Sequence, residues 1–121
     1  MILPQTIGDV TISDMENALF KGHTEIKSVI IPEGYEVISR EAFKDCTSLE
    51  RVEIASSVTY ISTYAFEGCT ALKEVVFNEG LTGIAAYAFD GCTALGDITL
   101  PSSTVAVGAY AFRNTSMDGA T

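Results

Sequence analysis

The sequence predicts an α/β-type solenoid, in which short coils stack and each coil contributes a strand to a parallel sheet. One observation is that nine residues recur almost unchanged, as YAFEGCTAL at 64–72 and YAFDGCTAL at 87–95. A second is that phenylalanine recurs every 23 residues, at Phe20, Phe43, Phe66, Phe89 and Phe112. A fixed period of this length indicates a repeat architecture, because a single repeat cannot bury its apolar face without its neighbours.

Several other residue types recur with the same step. Each of the last four phenylalanines of this column follows an alanine and stands five positions after an apolar residue. Three of them are followed, three residues later, by a cysteine. These further columns are Ala42/Ala65/Ala88/Ala111, Cys46/Cys69/Cys92, Leu49/Leu72/Leu95 and Ile38/Ile61/Ile84/Val107.

One repeat, taken as residues 72–94, shows how each coil should be built. Val75 and Phe77 alternate with Val76, and this period of two predicts a short strand. The residues at 78–80, Asn-Glu-Gly, are typical of a turn. The following run, IAAYAFDGC, contains helix formers and ends near Gly91, so it predicts one or two helical turns. Strands of successive coils should lie about 4.8 Å apart.

The ends of the chain depart from the repeat. Phe20 fits its column, but His23 stands where a cysteine is due, so residues 1–25 are interpreted as a degenerate N-terminal capping repeat. Residues 26–121 should then form about four 23-residue coils, the last incomplete at its C-terminal end, where Asp118 replaces the expected leucine. We therefore expect either a truncated array or an edge that a partner covers.

Composition limits the classes of partner. The chain has 121 residues, with 7 basic and 16 acidic side chains and a net charge of −9. Such a charge disfavours binding to nucleic acid or to anionic membranes. No run approaches 18 consecutive apolar residues, which disfavours membrane insertion. The first ten residues show neither a basic leader nor a long apolar run, so no secretory signal is visible.

The cysteine column is best interpreted as buried small hydrophobes. Two alternatives are a disulfide between neighbouring coils, which would leave one of the three cysteines over, and a metal site that recruits His23. Ligands spread along successive coils converge poorly on one ion, and no phosphate-binding glycine motif is present. We expect no enzyme activity, no catalytic residues, no metal and no cofactor.

Protein binding is the predicted use of the strand side, because its outward side chains are free of core packing. The candidate binding residues are Arg51, Glu53, Glu74, Val76, Asp97 and Thr99. The last predicted strand, residues 97–100, has no coil after it, so self-association through this edge is also expected. A second column, Tyr64/Tyr87/Tyr110, belongs either to an interface or to the margin of the core.

The runs EAFKDCTSLERVEI, YAFEGCTALKEVVF and YAFDGCTALGDITL resemble the BspA-like class of bacterial leucine-rich repeats. The resemblance extends over residues 26–114. It implies a leucine-rich repeat solenoid from a bacterial cell-surface or secreted protein that binds another protein, such as a host or matrix protein. The net negative charge is also compatible with an alternative. In it, the chain is a complete small acidic cytoplasmic protein that inhibits a basic or nucleic-acid-binding protein by occupying its site.

Overall fold

The computed structural model describes residues 6–7, 10–11, 21–22, 24, 26–96 and 98–116 of the chain. Within these residues lie nine short strands, of which the first two pair antiparallel and the others pair parallel. Their bounds are β1 Thr6–Ile7, β2 Val10–Thr11, β3 Ser28–Ile31, β4 Val37–Ile38, β5 Arg51–Ile54, β6 Tyr60–Ile61, β7 Glu74–Val76, β8 Gly83–Ile84 and β9 Ala106–Val107.

The main sheet has the order β3-β5-β7 and follows the register that the repeat predicts. Arg51 pairs with Ser28 on one side and with Glu74 on the other, so each neighbour lies one 23-residue step away. Inward and outward residues alternate in burial along β3 and β5. These strands belong to about three turns of a parallel solenoid. From a fourth turn, the described residues contribute one strand, β9.

A second ladder, with the order β4-β6-β8-β9, runs along another side of each coil. Every strand in it is two residues long, as in Tyr60–Ile61. Its inward residues were predicted from the sequence as an apolar column, but strands were not predicted there. Two residues are too few to show an alternation of apolar and polar side chains, which is the signal of a strand.

Phenylalanine forms the buried column that the repeat predicts. Phe43, Phe66 and Phe89 are fully buried, and their rings stack in parallel with centroids 5.2 and 5.0 Å apart. Phe112 continues the stack at 5.2 Å but is only partly buried. Phe20 lies outside the described residues. The column is therefore confirmed from the second phenylalanine to the fifth.

The helical turns predicted for each coil do not form in the described residues, where this part of the coil consists of single turns. In the second coil, Ala65 N–H donates to Ser62 C=O and Glu67 N–H donates to Tyr64 C=O, both with a spacing of three residues. Other donors bond to the next coil instead, as when Phe66 N–H donates to Ala88 C=O at 2.7 Å.

The backbone explains why a helix cannot continue. Residues at both ends of each five-residue segment have a positive φ, as at Tyr64 (61°) and Gly68 (77°), or Tyr87 (61°) and Gly91 (81°). A left-handed residue interrupts an α-helix, because L-residues form helices of the right hand. The interpretation of Gly91 as the end of a helix was therefore wrong, since it ends a turn.

The strand predicted at residues 97–100 is not found either. Ile98, Thr99 and Leu100 lie beside β7 without strand geometry, and Asp97 lies outside the described residues. The edges of the described sheets on the C-terminal side are therefore β7 in the main sheet and β9 in the second ladder.

The three cysteines form no disulfide and are fully buried, in agreement with their interpretation as small core residues. Cys69 Sγ donates to Phe43 C=O and Cys92 Sγ donates to Phe66 C=O, each at 3.0 Å. A hydrogen bond with Cys92, together with burial, raises the pKa of the Cys69 thiol. Both effects hold Cys69 in its neutral form. His23 lies outside the described residues, so the structure does not test the metal alternative, and the absence of a metal stays a prediction from the sequence.

Candidate protein-binding surface

The strand face is defined here as the outward side chains of β3, β5 and β7, together with Thr99. Parallel pairing in register places equivalent residues of successive coils side by side. Arg51 therefore lies beside Glu74, and Glu53 lies beside Val76. Four of the six residues predicted from sequence are thus brought together in two adjacent strands.

Arg51 is the centre of the charges on this face. Its Nε donates to Glu74 Oε1 at 2.9 Å, and its Nη2 lies 3.5 Å from Glu53 Oε1. The three side chains are 40 to 59% exposed, so water screens their attraction and each pair contributes only about 0–1 kcal/mol to stability. One cation facing two carboxylates leaves the cluster with a net negative charge.

The other predicted residues have different surroundings. Val76 is half-buried, whereas Thr99 is exposed and belongs to no strand. Asp97 lies outside the described residues, and its place on the face remains a prediction.

A groove of about 720 Å³ opens on this side of the molecule, between β7 and residues 98–102. Three of the predicted residues, Glu74, Val76 and Thr99, contribute to its walls. Inward residues reach it as well, since Phe77, Ile98 and Leu100 line it and are only partly buried against the core. Its volume is comparable to that of clefts that bind small molecules.

The inward residues of this groove were not predicted as part of the site. Phe77 and Leu100 follow the apolar column of Ile31 and Ile54, and this pattern predicts core residues. The residue types of such a column do not reveal where the distance between two coils departs from its regular value. One signal was available, because Gly96 replaces the charged residues that occupy its position in earlier coils.

Tyr64, Tyr87 and Tyr110 stack on a different side of each coil, with centroids 5.2 and 5.4 Å apart. Tyr110 is 56% exposed, and the other two are half-buried. Lys44 lies over the Tyr64 ring at 5.4 Å, and Arg113 lies over Tyr110 at 4.9 Å. These contacts favour a ladder that covers the margin of the core.

Charges beside this tyrosine ladder are also paired from coil to coil. Lys44 Nζ lies 3.1 Å from Glu67, and Arg113 donates two hydrogen bonds to the buried carboxylate of Asp90, at 2.8 and 3.2 Å. These hydrogen bonds raise the pKa of Lys44 and of Arg113. With its cations engaged in this way, the tyrosine side presents less unpaired charge than the strand face.

Comparison with known proteins now identifies the fold. A family model described as the BspA type leucine rich repeat region matches residues 6–120, in six copies. The chain belongs to the BspA-type leucine-rich repeat family. No curated protein matches the sequence.

Solved structures agree with this assignment. A leucine-rich repeat protein of T. pallidum is 31% identical, with a TM-score of 0.86 over 93% of this chain and 52% of that chain. One from Bacteroides ovatus is 30% identical, with a TM-score of 0.81 over 92% of this chain and 30% of that one. The pneumococcal vaccine antigen PcpA is 25% identical, with a TM-score of 0.65 over 96% of this chain and 38% of the antigen.

This leucine-rich repeat chain thus spans about half the length of the T. pallidum protein and less of the others. Its relatives are bacterial leucine-rich repeat proteins. The leucine-rich repeat is a fold of protein-interaction modules. In the part of the chain that the structure describes, no helix is long and apolar enough to cross a membrane.

Proposed function

We propose that this domain is a non-enzymatic module of a bacterial cell-surface or secreted protein, and that its strand face binds a protein such as a host or matrix protein. The observation that carries the proposal is the cluster of Arg51, Glu53 and Glu74 beside an open groove. Side chains there are exposed, carry a net negative charge and make no contribution to the core. Open solenoids bind partners along such extended surfaces.

The charge of the face determines the kind of partner. A basic protein surface would be attracted by the uncompensated carboxylate and by the net charge of −9. This attraction increases the rate of association and weakens as salt increases. We therefore expect a basic protein partner, and neither nucleic acid nor an inserted membrane segment.

Reversing one charge of the strand face should weaken the partner. In Glu74→Lys a second cation faces Arg51, and we expect the association rate to fall about tenfold, which corresponds to about 1.4 kcal/mol. The measurement is interferometry of the domain against a panel of immobilised matrix proteins, namely fibronectin, laminin and collagen, at two salt concentrations. Asp97→Lys should act in the same direction.

Glu36→Lys is the matched control, because it makes the same change of net charge at an exposed residue outside the strand face. If both variants lose the same affinity, net charge alone governs association and the strand face is not the site. Normal circular dichroism and an unchanged melting temperature of each variant would show that the fold is intact.

We also propose that the domain associates with itself through the C-terminal edge of its second ladder. β9 is the last described strand of its ladder, and Val105 and Val107 are 85% and 45% exposed. An exposed edge strand with apolar side chains is a template for pairing. Sedimentation velocity should show a dimer that Val107→Lys abolishes and that Thr47→Lys, a change at an exposed residue in an early coil, retains. A monomer at all concentrations would contradict this.

The repeat boundaries complete the proposal. Residues 1–25 would act as the N-terminal cap, and residues 26–121 would form four coils.

A further inference from the structure

The groove beside β7 reaches from the surface to the inward layer of side chains. Along one inward column, exposure is 1% at Val29, 0% at Val52 and 7% at Val75, and Ile98 is only partly buried. In the next column, Ile31 and Ile54 are 1% exposed, whereas Phe77 and Leu100 are partly buried. Apolar surface is therefore accessible beside β7, at the C-terminal edge of the main sheet.

The same two coils are bonded to each other beyond the groove. Gly80 N–H donates to Ser103 Oγ at 3.1 Å, and Ser102 donates to the Glu79 carboxylate through N–H and Oγ. Further on, Val105 N–H donates to Thr82 C=O at 3.0 Å, and β8 pairs with β9. The coils are thus held together on one side and separated on the strand face.

This separation leaves one edge of β7 available. Within the residues that the structure describes, β7 pairs with β5 alone, so the main-chain donors and acceptors of its other edge face the groove. A strand rises about 3.3 Å per residue. β7 and its neighbours, residues 73–77, therefore offer an edge long enough for a segment of four or five residues.

The charges of the walls define the side chains that such a segment would carry. Glu74 and Glu79 line the groove against a single lysine, Lys73, among its described residues. Glu74 is 59% exposed, and its partner Arg51 also faces Glu53. Basic side chains on the outer side of a bound segment would meet this excess of carboxylate.

We propose that the groove binds an extended segment of a partner protein that adds to β7 as a strand, with apolar and basic residues in alternation. Successive side chains of a strand point to opposite faces. The apolar ones would cover Phe77, Ile98 and Leu100, and the lysines or arginines would face Glu74. Strand addition of this kind takes affinity from main-chain hydrogen bonds and specificity from alternate side chains. This inference rests on the proposed function and specifies the recognition mode of the same site.

The first test uses fluorescent seven-residue peptides and fluorescence anisotropy. The peptide Lys-Val-Lys-Val-Lys-Val-Lys should bind saturably, and a peptide of the same composition with its three valines in one block should bind at least tenfold more weakly. Two further peptides carry N-methyl groups on the valine amides or on the lysine amides. Since only one edge of the segment pairs with β7, one methylated peptide should lose binding and the other should retain it.

Variants of the domain test the charge. Glu74→Gln should weaken the alternating peptide several-fold, and Glu36→Gln, an exposed carboxylate away from the groove, should leave it unchanged. Amide hydrogen exchange followed by nuclear magnetic resonance then locates the peptide. Exchange should slow for the amides of β7 that are not bonded to β5 when the peptide is added, while β6 and the amides of Lys73 and Glu74, which donate to Glu50 C=O, should be unaffected.

Three results would overturn the inference: no binding of the alternating peptide, equal binding of both methylated peptides, or unchanged exchange at β7. A matrix protein that requires Glu74 while the peptides fail would leave the proposed function intact and exclude strand addition. Peptide binding at β7, with no protein that binds the strand face, would support strand addition and contradict the proposed function.

Discussion

Phe66→Ala should reduce the free energy of unfolding by about 3–5 kcal/mol, which is the usual cost of truncating a buried phenylalanine. Phe66 is fully buried and stacks between Phe43 at 5.2 Å and Phe89 at 5.0 Å. The truncation removes both stacking contacts and leaves a cavity in the middle of the array. Urea denaturation followed by circular dichroism measures the loss.

Phe112→Ala is the control for that substitution. Phe112 has the same place in its repeat, but it contacts one phenylalanine of the column, Phe89, and is only partly buried. Its truncation should therefore cost less than half as much. Equal losses at Phe66 and Phe112 would contradict a column whose burial decreases toward the C-terminal coil.

Gly80→Ala should destabilise the domain by about 3 kcal/mol. Gly80 has a φ of 117°, a conformation that L side chains rarely adopt and that costs about 1–3 kcal/mol when imposed. A Cβ atom there would lie 2.5 Å from the carbonyl oxygen of Ser56 in the preceding coil, so the two coils would have to separate. The midpoint of thermal unfolding, measured by calorimetry, should fall accordingly.

Two other glycines separate the causes of that effect. Gly22→Ala introduces a side chain at a φ of 75° with no atom of the described residues within 4 Å, and it should cost about 1 kcal/mol from the backbone alone. Gly96→Ala has no positive φ and no close neighbour in the described part of the chain, and it should be nearly neutral. If Gly80→Ala destabilised the domain no more than Gly22→Ala, the result would contradict a close approach of the two coils at Ser56.

The sequence was sufficient to predict the parallel sheet and its register. Regular spacing identifies which residues are neighbours in a solenoid, because each coil contacts mainly the coils before and after it. The pairing of Arg51 with Glu74 and the stacking of Phe43 on Phe66 follow from that spacing alone.

The conformation within each coil was less accessible from the sequence. Residues such as Ala85, Ala86 and Ala88 favour helices, yet left-handed residues at Tyr87 and Gly91 close the segment after five residues. The signal was present, because the equivalent positions are Asp45, Gly68, Gly91 and Asn114, all of which tolerate a positive φ. Pairing with the next coil outweighs local helix propensity here.

The candidate site was also predicted only in part. The strand-face columns could be derived from alternation, and Arg51, Glu53, Glu74 and Val76 lie together as expected. The groove beside β7 could not, because the sequence of the next coil continues the pattern of a paired strand at Ile98 and Leu100. Packing determines where two coils separate, and this separation cannot be predicted from a column of similar residues.

The central claim is that partners bind the strand face rather than the tyrosine ladder. The most direct measurement compares Glu74→Lys with Tyr64→Ala and Tyr87→Ala in one binding assay against the same immobilised matrix protein. Because the tyrosines lie on a different side of the coils, both tyrosine variants should bind like the wild type once their folding is verified, and Glu74→Lys should associate about tenfold more slowly. Normal binding by Glu74→Lys, with loss of binding in either tyrosine variant, would place the interface on the tyrosine ladder and contradict the proposed site.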